Sequence, residues 1–400
     1  MSELTPVAPR ERVVTLDVLR GFSLCGVLIG NMALYSGRWM MRGKPPAPTT
    51  LDTVANWGIT IFVESKAQTL LTLLFGFGFA VQLLRAQQRG KPIMGLYVRR
   101  LVVLFTLGVL HISLLWWGDV TWTYAIAGFG LLAFLRTSNR TRVVWGVVFT
   151  FVPVLVWTLP AVRVAVMGVF LEPREFAGYT ERIAAAIRRP EHAGLPWEHI
   201  RYALAWGTLL YFWYFLWVLG RFLLGYVAGK LRWFDNDGAN HLAIFRRLLR
   251  WSMAIAAGST TLSVLERTGV IPVSQLMHPA RLGLAAVEQV GLLALPLTYI
   301  ATIVLLMQRP AWRRVLQILA PAGRMPLTVY FSQSLICTFL FYGWGLGWVG
   351  SVGVASCLGL AVAIFTVQVA ACHVWLRWFQ FGPLEWIWRS LVYLKLPPMR

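Results

Sequence analysis

Hydrophobic positions along the chain come in long runs rather than in the alternating or three-to-four-residue rhythm of a half-buried element, and short polar clusters separate them. A run of about 18 to 25 apolar residues is what crosses a bilayer as a helix. The pattern predicts ten spans, near 14–36, 55–84, 98–117, 120–135, 143–167, 203–229, 251–268, 282–307, 326–343 and 353–376. The fold class is all-α, a polytopic integral membrane protein. The spacing divides the chain into a five-helix half over 1–167, an extracytoplasmic loop over 168–202, and a second five-helix half over 203–400. Within that loop, "EFAGYTERIAAAIRR" predicts a short amphipathic helix around 175–188 on the outer surface, with a lid or a solvated linker between the two halves as the equal alternative.

Composition agrees with a bilayer as the solvent. The chain is 58% hydrophobic and 13% charged, with a mean hydropathy of +0.63, too little polar surface to cover a soluble core of this size. The 20 tryptophans suit membrane–water interfaces. The segment before the first apolar run is short and polar with no small-residue cleavage site, so the first span is expected to stay as an anchor.

The net charge of +21 raises the question of nucleic acid, but its distribution answers it. Basic residues recur on every second connection: Arg10 and Arg12, Arg85 to Arg100, Arg136 to Arg142, Lys230 to Arg250, Arg309 to Arg324, and Arg377 to Arg400. That is the pattern of membrane orientation. It places both termini in the cytoplasm, with lipid rather than nucleic acid as the partner. Loop 37–54, basic through Arg38, Arg42 and Lys44, is the one exception. Cys25, Cys337, Cys357 and Cys372 lie inside apolar runs with no metal-ligand spacing, so they read as packing residues and no metal is expected.

Ionisable groups inside spans are costly, so each is a candidate site residue. The predicted topology sorts Asn31, Glu64, Lys66, His111, Asp119, Arg281 and Glu288 to the outer side. It sorts Asp17, Arg20, Arg99, Arg100, Arg221, Arg324 and His373 towards the cytoplasm. In "LDVLRGF", Asp17 and Arg20 stand three apart on one helix face. They are either a self-satisfied ion pair or part of an anion site with Arg99, Arg100 and Arg324, whose planar forks suit phosphate. Glu64 and Lys66, two apart, are expected on different faces of one helix, and Gly76 and Gly78 are expected at close helix contacts. His111 is either a packed histidine bonded to a backbone carbonyl or a base oriented by Asp119 or Glu64. In the second case it is expected to face an internal cavity. "TVYFSQS" puts Thr328, Ser332, Gln333 and Ser334 into the ninth span, where hydroxyls back-bond and Gln333 needs a partner. Glu385 and Arg389 in "FGPLEWIWR" read as an interfacial helix. No P-loop, dinucleotide glycine fingerprint, GxSxG or HExxH is present.

Five stretches in order carry a resemblance: "RVVTLDVLRGFSLCGVLIGNM", "FVESKAQTLLTLLFGFGFA", "RRLVVLFTLGVLHISLLWWGDVTWTYAIAGFG", "GRMPLTVYFSQSLICTFLFYGWGLG" and "FGPLEWIWRSL". Together they resemble the YeiB-like family of bacterial inner-membrane proteins, whose C-terminal half is domain of unknown function 418. Through "LDVLRGF" the chain is also distantly similar to transmembrane acyltransferases such as heparan-alpha-glucosaminide N-acetyltransferase. That similarity implies an acyl group moved from cytosolic acyl-CoA or acetyl-CoA to an acceptor on the far side, by a histidine. The histidine of those relatives lies in the first extracytoplasmic loop. Loop 37–54 here has none, and His111 would take its place.

The leading expectation is thus a membrane acyltransferase, with a homodimer as its candidate assembly. Its base would be His111 with Asp119 or Glu64, and its donor would be held by Asp17, Arg20, Arg99, Arg100 and Arg324. A transporter or flippase of an amphipathic metabolite would use the same residues to bind and relay protons. A non-catalytic membrane partner protein is the third reading.

Overall fold

The structure is a computed structural model and describes residues 13–38, 48–88, 94–158, 185–190 and 212–400. The regular elements among these residues are all helical. The longer ones are α1 (Val14–Tyr35), α2 (Thr50–Phe62), α3 (Lys66–Gln88), α4 (Met94–Leu114), α5 (Thr121–Leu132), α6 (Asn139–Thr158), α7 (Phe212–Lys230), α8 (Leu242–Arg267), α9 (His278–Met307), α10 (Pro326–Phe341), α11 (Val354–Trp378) and α12 (Pro383–Tyr393). Two short helices, Pro310–Leu316 and Ala320–Arg324, lead into α10.

Among the described residues, six helical stretches are long and apolar enough to cross a membrane: Val14–Tyr35, Thr50–Gln88, Met94–Leu114, Asp235–Arg267, His278–Met307 and Val354–Trp378. The protein is therefore a multi-pass membrane protein. The predicted spans near 120–135 and 326–343 are shorter helices, α5 with 12 residues and α10 with 16. At 1.5 Å per residue, α5 covers about 18 Å, little more than half of a hydrocarbon core of about 30 Å. The predicted spans near 143–167 and 203–229 are described only to 158 and from 212. The expected amphipathic helix around 175–188 lies outside the described residues except for a helical turn over 185–188.

The predicted helix over 55–84 is broken. Val63, Glu64 and Ser65 form a turn between α2 and α3, with Ser65 at φ +61°. The Lys66 ammonium donates to the Thr60 carbonyl at 2.6 Å, closing an open end of α2. Glu64 and Lys66 consequently belong to a joint rather than to opposite faces of one helix.

Three buried apolar clusters hold the helices together, and each draws on both halves of the chain. Leu24 and Met32 pack with Val329, Cys337 and Phe365. Leu16 and Leu70 pack with Phe245 and Val304. Phe79 and Tyr97 pack with Phe222 and Tyr226. Buried Cys337, Cys357 and Cys372 and half-buried Cys25 are free thiols.

The tightest seam joins α3 to α7. A Cβ on Gly76 would collide with the Phe222 carbonyl, and one on Gly225 would collide with the Leu73 carbonyl. Gly225 and Gly229 are a G-x-x-x-G pair, and Gly229 meets Ala80 and Phe77. Small residues at this spacing let two backbones touch, the association mode that works where lipid tails already solvate apolar side chains. Gly323 plays the corresponding part beside α1: its Cβ would meet the Asp17 carbonyl, so the short helix Ala320–Arg324 lies directly on the "LDVLRGF" turn.

Candidate functional site

α1, α3, α4, the start of α5, Tyr214 of α7, the N-terminal part of α10 and α12 line a partly open cavity of about 890 Å³. Its walls are polar at two ends. At one end stand Asp17, Arg20, Arg85, Arg100, Arg324 and Arg389; at the other are Asn31, Glu64, Gln68, Thr121, Tyr124 and Tyr214.

The arginine pole follows from local sequence. Arg20 lies one helical turn beyond Asp17 and donates to its carboxylate at 3.0 Å. Both line the cavity, so the pair is real but not sealed. Gly78, which was expected at a helix contact, instead leaves room for the Arg20 guanidinium. The Arg100 guanidinium lies 4.3 Å from the centre of the Trp388 ring, a cation–π contact that holds it at the wall. Arg324 is placed there by the Gly323 contact. Arg99 departs from the expectation: it does not line the cavity, and its guanidinium donates to the Val392 carbonyl at 2.9 Å. Adjacent residues on a helix point about 100° apart, so only one of Arg99 and Arg100 can face inwards.

Glu385 lies in the first turn of α12 and is buried. It reaches the N-terminus of α10, accepting from the amides of Leu327 at 2.6 Å and Thr328 at 3.1 Å and from the Thr328 hydroxyl at 2.5 Å. A carboxylate at a helix N-terminus satisfies orphan amides and meets the positive end of the dipole. Burial nevertheless outweighs those bonds and pushes the Glu385 carboxyl above its ordinary value. This clamp holds α12 across the arginine end, where Trp388, Arg389 and Tyr393 complete the wall.

The second constellation forms where α4 turns into α5. The amides of Leu115 and Trp116 both donate to the His111 carbonyl, which winds the helix end tight. Asp119 then accepts from the Thr121 amide at 2.9 Å, a carboxylate turn that starts α5. The same fold-back sets Asp119 Oδ1 2.7 Å from His111 Nδ1. Oδ1 also accepts from the Thr121 hydroxyl at 2.7 Å and from the Tyr330 hydroxyl at 3.1 Å. Three donors other than the imidazole already point at this carboxylate, and an acceptor is what it offers the ring. The network therefore assigns the imidazole proton to Nδ1 and leaves Nε2 as an acceptor, without a hydrogen-bond partner among the described residues.

His111 and Asp119 are 1% and 0% exposed. The imidazole stacks on Phe331, ring centres 4.2 Å apart. His111 thus meets the expected partner Asp119 but does not face the cavity as expected, and neither residue lines it. Tyr330 does. Its hydroxyl links the cavity wall to the buried pair, and no sequence pattern singled it out because it lies 211 positions beyond Asp119. Glu64 lines the far end, exposed, in the turn before α3; the His111 imidazole bonds to Asp119.

Other predicted polar groups have structural partners. Gln333 donates to Gln368 Oε1 at 3.2 Å and to the Leu24 carbonyl at 3.4 Å. Arg221, fully buried, lies on the Trp217 ring and donates to Thr69 Oγ1 at 3.2 Å. His373 meets the Ile318 carbonyl at 3.0 Å on the exposed side of α11. Among the described residues no group of three His, Cys, Asp or Glu side chains is placed to hold a metal.

Fold and cavity together define a helical multi-pass membrane protein with a two-ended internal site. A protein-family profile described as "Protein of unknown function (DUF418)" matches residues 228–395. Uncharacterized protein YxaH of Bacillus subtilis (strain 168) is 31% identical over 100% of this chain and 98% of its own. An uncharacterized 39.9 kDa protein of Bacillus acidopullulyticus is 27% identical over 99% and 98%. Uncharacterized protein YeiB of Escherichia coli (strain K12) is 24% identical over 95% and 96%. The chain belongs to the YeiB-like DUF418 family. No solved structure matches it significantly.

Proposed function

We propose that the protein is a membrane acyltransferase. Its cavity would hold an acyl carrier, acyl-CoA or a lipid-borne equivalent, with the anionic group against the arginines and the acyl carbonyl beside Tyr330. The observation that carries this reading is that both constellations reach one cavity wall. Arg100 and His111 are eleven residues apart on α4, about 16 Å along its axis, so the cavity suits a ligand whose charged and reactive ends are well separated.

In this mechanism an acceptor O–H or N–H attacks the acyl carbonyl. The new C–O or C–N bond forms as the bond from carbonyl carbon to carrier breaks. The acceptor proton passes to the Tyr330 oxygen while the Tyr330 proton moves to Asp119. The same path returns it to the departing carrier. Tyr330 is the catalytic residue, Asp119 stores the proton, and His111 is a positioning residue that holds Asp119. The arginine end is proposed to face the cytoplasm, as the basic connections predict.

The test is label transfer by the purified protein in lipid, with radiolabelled acyl donors and a membrane extract as acceptor. Tyr330→Phe should slow transfer by about 100-fold or more while leaving the donor's half-saturation concentration unchanged. Full activity in Tyr330→Phe, or donor binding without transfer in the wild type, would defeat the proposal. One observation favours transport as a second reading: residues from Val13 to Leu34, most of α1, line the cavity. Movement of intact labelled ligand across liposomes, without product, would select it.

A further inference from the structure

Three hydroxyl side chains close to Asp119 line the cavity: Thr121, Tyr124 and Tyr330. Two of them are spent. Thr121 Oγ1 and the Tyr330 hydroxyl both donate to Asp119 Oδ1, at 2.7 and 3.1 Å. Tyr124 stands three residues beyond Thr121, on the same side of α5. Phe75 and Phe222 hold its ring edge-on. It is 7% exposed, and its hydroxyl makes no hydrogen bond among the described residues. Gln68 and Tyr214 stand beside it, but the Gln68 amide donates to the Tyr214 hydroxyl instead. A buried O–H without an acceptor is costly, so a wall that keeps one suits an acceptor that arrives with a ligand.

A second unbalanced group lies behind it. Arg221 is fully buried and within Coulombic reach of the Tyr124 and Tyr214 hydroxyls. Its Nε and Nη1 donate to Thr69 Oγ1 and the Trp217 carbonyl, and the guanidinium lies 3.4 Å from the centre of the Trp217 ring. Nη2 has no partner. None of these contacts carries negative charge, and no ion pair among the described residues includes Arg221. A buried cation without a counter-charge is unfavourable in a membrane protein and marks a functional position. The charge that would balance it has room to appear on the cavity side of Tyr124.

We propose that Tyr124, backed by the Arg221 charge, is the oxyanion donor of this site. The assignment rests on the acyltransferase reading and adds a residue to it. As the acceptor attacks, negative charge grows on the acyl carbonyl oxygen. Asp119, within Coulombic reach of both Tyr124 and Tyr330, opposes a second negative charge there. The Tyr124 hydroxyl donates a hydrogen bond to that oxygen, and Arg221 offsets the repulsion from Asp119. No covalent bond to Tyr124 forms or breaks, and its proton stays in place. The acceptor proton still travels through Tyr330 to Asp119. A donor fixed before the reaction needs no reorganisation as the charge develops.

The experiment is the label-transfer assay on the full-length protein in lipid with Tyr124→Phe, Arg221→Met and Arg221→Lys. Thermal unfolding of each, without ligand in dodecyl maltoside, accompanies it. Tyr124→Phe should lower kcat about 100-fold or more. It should leave the donor's half-saturation concentration and the pH profile of kcat unchanged, because Tyr124 transfers no proton. Its unfolding midpoint should not fall, since the hydroxyl has no bond to lose. Arg221→Met should lower kcat on the order of tenfold, and Arg221→Lys should recover most of that loss. Full rate in Tyr124→Phe overturns the assignment and leaves the acyltransferase reading standing. A shifted pH profile also overturns it, by making Tyr124 a proton carrier. A lower midpoint together with a lower rate overturns it as well, by tying the hydroxyl to the protein's own packing. Equal losses in Arg221→Met and Arg221→Lys remove the buried charge from the proposal. Absence of transfer in the wild type removes the acyltransferase reading itself, and the oxyanion role with it.

Discussion

Replacing Asp119 with Asn changes one atom in a sealed site, and the structure sets what that should cost. The carboxylate accepts four hydrogen bonds: Oδ1 from His111, Thr121 Oγ1 and Tyr330, and Oδ2 from the Thr121 amide. Asparagine has one oxygen. In its better orientation that oxygen keeps the three donors at the Oδ1 position, and its NH2 then meets the Thr121 amide, donor against donor. A buried amide left unsatisfied costs about 1 to 3 kcal/mol. The three remaining bonds lose their charge assistance, roughly half their strength. Removing a buried charge returns part of this as relieved desolvation. The net expectation is a loss of about 3 kcal/mol, or roughly 150-fold in the ratio of folded to unfolded protein. The assay is equilibrium unfolding in mixed micelles, followed by tryptophan fluorescence. Tyr330→Phe should cost about 1 kcal/mol alone, and less in the Asp119→Asn background because the two share a bond. A loss below about 0.5 kcal/mol for Asp119→Asn, the size of an ordinary surface change, would refute the four-donor geometry.

His111→Ala should also destabilise the fold, by about 2 to 4 kcal/mol. It removes a fully buried ring stacked on Phe331, and a conventional expression and unfolding screen would detect it. Glu385 makes a pH prediction. Its carboxyl titrates higher in the folded protein than unfolded, so the stabilisation belongs to the protonated form. That contribution is complete below the unfolded value of about 4.3 and is lost as pH rises through the folded value. Stability should fall across that window in the wild type and stay flatter in Glu385→Gln, which unfolding at a series of pH values would show; equal slopes would contradict it. Gly225→Leu should prevent the α3–α7 seam from closing, and a monodisperse, thermally unchanged protein would contradict that contact.

What the sequence revealed, and what it hid, divides along physical lines. The helices were legible because apolar run length reports directly on the bilayer. The break at Val63–Ser65 was not, since no glycine or proline marks it and Ser65 takes up a left-handed conformation uncommon for a residue with a Cβ. His111 and Asp119 could be paired from their spacing across one short turn. Tyr330 could not, because its position beside Asp119 depends on how α10 lies against α4. Arg99 and Arg100 looked alike, and only helix rotation separates them. Arg85 was read as part of a basic connection and Arg389 as part of an interfacial helix, and the same rotation brings both to the cavity wall. Glu385 was read with Arg389 as part of an interfacial helix, yet the open start of α10 offers its carboxylate two amides and a hydroxyl.

The glycine seam has a consequence for how the protein is made. A ribosome delivers α3 long before α7, and until α7 arrives the surface around Gly76 and Ala80 faces lipid or a provisional neighbour. The helices that precede α7 therefore form an open assembly whose groove on α3 is reserved for a latecomer. A chain truncated before Phe212 would lack the element that closes it. Such a product should be a substrate for membrane quality control rather than a smaller working protein, and the N-terminal half expressed alone should be rescued by supplying the C-terminal half as a separate polypeptide.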